Sequence, residues 1–166
     1  MPNTIGVCRA LHAYDYLPLW QTFLEQLGMR VEVSGKTDRE MIEAGARVAP
    51  AELCLPAKVF LGHALSLRGR VEALFVPRMV CWKQERDLSY GCPKAIALPD
   101  LCRALVPDLP VSELCLDERE WSEERAFRNL ARELGSRDGR EALRAAREAQ
   151  SSAGSASPGE PTQEAG

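Results

Sequence analysis

Leu74-Phe75-Val76 is an unbroken apolar run closing the stretch 71–76. Such a run marks a strand buried on both faces, as in the middle of a parallel sheet. Parallel neighbours need crossover connections, usually helices, and this chain alternates the two kinds of segment. Residues 4–8 read as a short buried strand, 29–33 as a strand with alternating apolar residues, and 111–116 as a fourth. Between the first two, Leu17, Trp20, Phe23, Leu24 and Leu27 mark one helical face. Asp15 is the expected N-cap, Pro18 falls in the expected first turn and Gly28 is the stop. Thr37 with Glu40 resembles a capping box, opening a helix that turns Met41, Ile42, Gly45 and Val48 inward. Residues 55–67 are apolar nearly all round, which predicts a helix buried on more than one side. Pro77-Arg78 should end the strand at 71–76, and Pro99 should kink or break the helix that opens at Gly91-Cys92-Pro93. The expected fold is α/β, a three-layer domain with a small, mostly parallel sheet flanked by helices. It should span residues 3–116.

After Asp117 the character changes. Residues 118–134 are charged, with only Trp121, Phe127, Leu130 and Leu134 as an apolar stripe, and 138–150 form an alanine-rich helix with little to bury. Residues 117–150 are therefore expected as a charged helical extension. Residues 151–166, rich in Ser, Gly, Pro and Glu, are expected as a disordered tail.

Composition removes several function classes. With 166 residues, a net charge of -3 and 27% charged residues, the chain lacks the basic surplus of a general nucleic-acid binder. No apolar run approaches a membrane span, and the start lacks the pattern of a secretory signal. The expected compartment is the cytoplasm. There, six cysteines (8, 54, 81, 92, 102 and 115) point to metal ligands, catalytic groups or buried thiols before disulfides.

One local pattern occurs twice. Cys54-Leu55-Pro56-Ala57-Lys58 and Cys92-Pro93-Lys94 each place a proline and then a lysine just after a cysteine, ahead of an apolar helical run. Proline suits the first turn of a helix, so each cysteine is expected at a helix start. Free N–H groups and the helix dipole there favour a thiolate. Lysines inside that turn have the wrong sign for the dipole, which suggests an anion whose charge they offset. His63, beside Gly62, is more often a satisfied core histidine than a ligand, although Gly62 permits a close backbone approach. Cys8, Cys54, Cys81 and Cys92 can converge on the carboxyl edge of the sheet, where such folds bind ligands, with Arg9 and Arg78 near them. Cys102 reads as core, and Cys115 is undecided.

These motifs, in this order, resemble one family: Ile5-Gly6-Val7-Cys8-Arg9, the aromatic helix at 14–28, Cys54-x-Pro-x-Lys58 with Gly62-His63, Val76-Pro77-Arg78, and Cys92-Pro93-Lys94 running to Leu98-Pro99-Asp100. The chain resembles the 2-hydroxyacyl-CoA dehydratase-like iron–sulfur family over about residues 4–116. Its nearest branch is the amino-terminal lobe described as a CoA-substrate-specific enzyme activase. The resemblance implies a cysteine-ligated iron–sulfur cluster, a 4Fe-4S cubane, held between two α/β lobes. It also implies an ATP-dependent activator that delivers an electron for radical dehydration of an acyl-CoA. Carried over by position, Cys54 and Cys92 match the metal-binding cysteines, and Cys81 is a third candidate. Lys58, His63 and Lys94 match flanking positions at the cofactor. The family usually has proline where this chain has Cys8, and it continues into a second lobe that supplies a further cysteine. Full dehydratase activity is therefore not expected from this chain alone; a second lobe or partner subunit is. The alternative is a non-catalytic interaction or regulatory module that kept the fold and lost the cluster. A zinc site on Cys8, Cys54, Cys81 and Cys92 is weaker, because no CxxC pair is present. A nucleotide site is weaker still, because no glycine-rich loop follows the first strand.

Overall fold

The computed structural model describes residues 2–84 and 87–154. The element order is β1 (Thr4–Val7), α1 (Ala13–Gln26), β2 (Arg30–Val33), α2 (Arg39–Val48), α3 (Leu55–Ser66), β3 (Ala73–Gln84), β4 (Asp87–Tyr90), α4 (Pro93–Ile96), α5 (Leu98–Leu105), β5 (Val111–Asp117), α6 (Glu123–Glu133) and α7 (Gly139–Gly154). Strand β1 pairs in parallel with β2 and with β3, and β3 pairs in parallel with β5. The outer part of β3 carries the antiparallel β4. Cys81 registers with Tyr90 of β4 and with Asp117 of β5. Since β1 and β5 also flank β3, β4 lies on the β1 side, beyond the end of β1. The α/β class and the mostly parallel sheet are as expected from the sequence.

Strand alternation divides the core into two layers. Ile5, Val7, Phe75, Leu114 and Leu116 point to one face, where Trp20, Phe23 and Leu24 of α1 meet Phe127 and Leu130 of α6 and Leu143 of α7. Leu74 and Val76 point to the other, against Phe60, Leu61 and Leu67 from the α3 side and Leu98 and Cys102 of α5.

Four local expectations are corrected. Helix α1 begins at Ala13 with His12 as N-cap, so Pro18 lies inside the helix rather than in its first turn. Proline there opens the helix by clashing with the preceding turn. The side chain of Gln150 in α7 bridges the opening: its Oε1 accepts from Leu19 N–H at 3.1 Å, and its Nε2 donates to the Asp15 carbonyl at 2.6 Å. Second, the cap of α2 is Asp38, whose Oδ1 accepts from Met41 N–H at 2.8 Å, not Thr37.

Third, Pro77 does not end β3. Leu74 N–H donates to the Pro110 carbonyl on the β5 side. Alternation along the strand turns the Pro77 nitrogen to the β1 side, where β1 has already ended at Val7, opposite Phe75. No ladder hydrogen bond is lost, so the strand runs through. Fourth, α7 has much to bury. Ala142, Leu143 and Ala146 are each at most 2% exposed, and α7 packs along α1. The segment after Asp117 thus covers one face of the sheet. Ser151–Gly154, expected in the tail, are helical; the rest of the expected tail, 155–166, lies outside the described residues.

Candidate functional site

The carboxyl ends of β1 and β2 meet the start of α3. Ser34, just after β2, is buried, and its Oγ accepts from Arg9 N–H at 2.8 Å. The same Oγ lies 2.8 Å from His63 Nδ1, and Thr37 Oγ1 lies 2.9 Å from His63 Nε2. Each hydroxyl can donate or accept, so either neutral tautomer of the ring satisfies both contacts. His63 is fully buried with both ring nitrogens engaged. It is a satisfied core histidine that ties the loop after β2 to α3. The sequence did not single out Ser34 and Thr37 as its partners, because a histidine's partners twenty-odd residues away leave no local signal.

Burial lowers the His63 pKa; Asp38 opposes this and Arg9 adds to it. Burial likewise lowers that of His12, against Asp15. The sign follows from linkage. With folded pKa values below the unfolded value of about 6.5, the unfolded state takes up protons first as pH falls. Denaturation midpoints are therefore expected to drop as pH falls through about 6.5, before any carboxylate titrates. His63→Gln should flatten that slope, His12→Gln should remove the remainder, and a double variant retaining the full slope would contradict this account.

Gly62 makes the close approach its sequence permits, to packing rather than to a ligand. A Cβ there would overlap the Met41 carbonyl of α2, and one on Gly45 would overlap the Lys58 carbonyl of α3. The two helices cross at reciprocal glycines.

Cys54 and Cys92 are the N-caps of α3 and α4, each followed by a proline in the first turn, and neither makes a side-chain cap bond. Cys54 is half-buried and Cys92 exposed. Helix α4 is a single turn, Pro93–Ile96, so its dipole at Cys92 is small. The lysines have partners other than an anion. Lys58 Nζ donates to the Ala51 carbonyl at 3.0 Å, and Lys94 Nζ donates to the Glu52 carbonyl at 2.9 Å. Both hold the turn that leads into Cys54, and the Lys94 bond ties the Cys92 loop to it.

The other cysteines lie elsewhere. Cys81 is fully buried in β3. Cys8 and Cys102 sit in the layer under α3 and α5. Burial raises the Cys8 thiol well above its ordinary pKa and pushes Cys102 up to about 12. Cys115, half-buried in β5, is raised by burial and by Glu113. Among the described residues, no group of three or more His, Cys, Asp or Glu side chains could hold a metal ion. Arg78 is not available to a ligand either. It donates to Glu113 at 2.5 and 3.1 Å, to Asp100 at 2.9 and 3.0 Å, and to the Ile96 carbonyl at 2.9 Å. These bonds use every N–H of the guanidinium and pin the junction of α4 and α5 to the sheet.

An apolar groove of about 370 Å³ opens beside Cys54, lined by Ala10, Leu11, Tyr14, Thr37, Leu55, Pro56 and Val59. The first turn of α3, expected to be buried, faces out here: Leu55 is 60% exposed, and Tyr14 across from it is 70% exposed. Leu11 has a left-handed backbone, φ 54°, unusual for a non-glycine residue.

A family model described as "CoA enzyme activase uncharacterised domain" matches residues 4–161. The chain belongs to this family. The match to the activase domain runs well past residue 116, through α6 and α7, which close the core layer that holds α1. No curated protein and no solved structure matches the chain. Among the described residues, no helix of this CoA enzyme activase domain is long and apolar enough to cross a membrane.

Proposed function

We propose that this domain is one half of a shared iron–sulfur site, in which Cys54 and Cys92 bind the cluster together with ligands from a second polypeptide. A cubane commonly takes four cysteines. The described residues do not fit a cluster held by this chain alone, since three of the remaining thiols are buried and no three-ligand group exists. The supporting observation is the Lys94 Nζ bond to the Glu52 carbonyl, which ties the loops of the two more accessible helix-start thiols into one edge. In this reading the domain serves the acyl-CoA chemistry of an enzyme partner, with an ATP-dependent activator supplying the electron, and is not a complete enzyme. Lys58 and Lys94 act by holding the loops around the thiols, and His63 by tying the loop after β2 to α3.

The test is anaerobic reconstitution with iron and sulfide, of the chain alone and co-expressed with a partner encoded nearby. Expected is labile, oxygen-sensitive iron alone and stable iron with the partner, both lost in Cys54→Ala and in Cys92→Ala. No iron in either setting rejects the reading, and iron that survives both substitutions means that other residues are the ligands. The second reading, an interaction module without a cluster, is favoured by the lysines themselves, because their ammonium groups are accounted for by backbone carbonyls.

A further inference from the structure

We infer that the open edge of β4 pairs with the β4 edge of a second copy of this chain, as antiparallel strands centred on Ser89. Backbone direction is the first reason. β4 joins the sheet through β3, and among the described residues no strand pairs with its other edge. Gly91 N–H donates to the Val80 carbonyl at 3.0 Å. Along an antiparallel ladder, residues bonded to the neighbour alternate with residues that face away from it. With Trp82 opposite Ser89 and Cys81 opposite Tyr90, Ser89 bonds to β3, whereas the N–H and C=O groups of Leu88 and Tyr90 face away. Such a row of groups is recognised by another extended backbone.

Side chains are the second reason. Leu88 is 47% and Tyr90 61% exposed, and both stand on one face of the strand. The Arg119 guanidinium lies over the Tyr90 ring, 5.7 Å from its centre, and is itself paired with Asp117. The ring is therefore held in place before anything docks, which reduces the ordering cost of association.

Register names the occupant. Leu88 and Tyr90 lie symmetrically about Ser89. A second β4, laid antiparallel with Ser89 opposite Ser89, sets Leu88 opposite Tyr90 of the second copy and Tyr90 opposite its Leu88. Each of these pairs exchanges both N–H and C=O, so every outward group of Leu88 and Tyr90 is engaged in both copies. Within β4, a shift of two residues either way keeps only one such pair. The same register sets leucine against tyrosine twice on one face, an apolar cross-strand pairing that adds stability. One surface thus offers and receives, as a two-fold contact requires.

The contact lies just before Cys92, but it does not rest on the cluster. The full-length chain, stripped of metal by a chelator and kept in reductant so that thiols do not cross-link, is followed by sedimentation equilibrium up to roughly 1 mM. The mass is expected to rise from the 18.3 kDa of one chain towards twice that value. Amide exchange reads the register. Ser89 should exchange slowly at every concentration, whereas Leu88 and Tyr90 should exchange fast in dilute samples and severalfold more slowly in concentrated ones. Leu88→Lys and Tyr90→Lys should each weaken association by at least about tenfold. Leu88→Pro removes an outward N–H but no bond to β3, so it should abolish association where Leu88→Ala only weakens it. Circular dichroism verifies each fold; if Leu88→Pro unfolds, the wild-type exchange pattern and the lysine variants decide. A wild-type chain that stays monomeric throughout overturns the proposal. So does a dimer indifferent to both lysine variants, or one in which the Leu88 and Tyr90 amides gain no protection. Iron is absent from every arm, so failure here and failure of the cluster reading are separate results.

Discussion

A chain ending at Asp117 is expected not to fold, although it contains every described strand of the sheet. Helices α6 and α7 bury Phe127, Leu130, Leu134 and Leu143 with neighbouring alanines against Trp20, Phe23 and Leu24. At about 1.5–3 kcal/mol for each large apolar side chain, losing these four removes roughly 6–12 kcal/mol. That is comparable to the whole net stability of a typical domain, about 5–15 kcal/mol. The truncated chain should show no cooperative thermal transition and poorly dispersed amide resonances, whereas a chain ending at Gly154 should retain both. A cooperative, well-dispersed 1–117 fragment would overturn this expectation and place a domain boundary near 116. The single-residue counterpart is Gln150→Ala, which strands Leu19 N–H and the Asp15 carbonyl at the Pro18 opening. It should cost about 1–2 kcal/mol, in the range for losing the partner of a partly buried polar group.

Replacing either crossing glycine should be nearly as damaging, and its sign is diagnostic. Gly45 and Gly62 lie inside helices, where propensity alone predicts that alanine stabilises by roughly 1 kcal/mol. Packing predicts the opposite. The new methyl of Gly62→Ala would meet the Met41 carbonyl, and that of Gly45→Ala the Lys58 carbonyl; both are backbone atoms of the facing helix. No rotamer change relieves such an overlap, so α2 and α3 must separate. Overpacking commonly costs about 1–3 kcal/mol, and these backbone clashes belong at or above the upper end. Separation should also stretch the bond between His63 and Thr37, since one lies on α3 and the other just before α2. Urea denaturation of Gly45→Ala and Gly62→Ala decides the matter: a higher midpoint in either would mean that the helices do not cross as described.

Much of the layout could be read directly from residue order. The run Leu74-Phe75-Val76 marked a central strand, and β3 is flanked on both sides by parallel neighbours. Proline after cysteine marked the starts of α3 and α4. His63 in an apolar helix was weighed as a satisfied core group against a flanking position at the cofactor, and both its ring nitrogens have partners within the chain. These are local facts: periodicity, propensity and capping act within a few residues, so the sequence carries them openly.

Tertiary structure decided the rest, for reasons of reach. Pro77 stays within β3 because of where β1 stops, which the neighbourhood of Pro77 does not encode. The thin apolar stripe of α6 and the alanines of α7 become core because α1 offers them a complementary face. Periodicity shows that a helix has an apolar side but not how completely another element covers it. Lys58 and Lys94 suggested an anion by their sign, yet each ammonium reaches a carbonyl in the turn at Ala51–Glu52. Hydrogen-bond partners seven and forty-two residues away leave no trace in composition. Cys81, a third candidate after Cys54 and Cys92 on paper, is sealed within β3. Which thiols can meet an incoming group was set by burial, and burial is a property of the packed chain rather than of the residue.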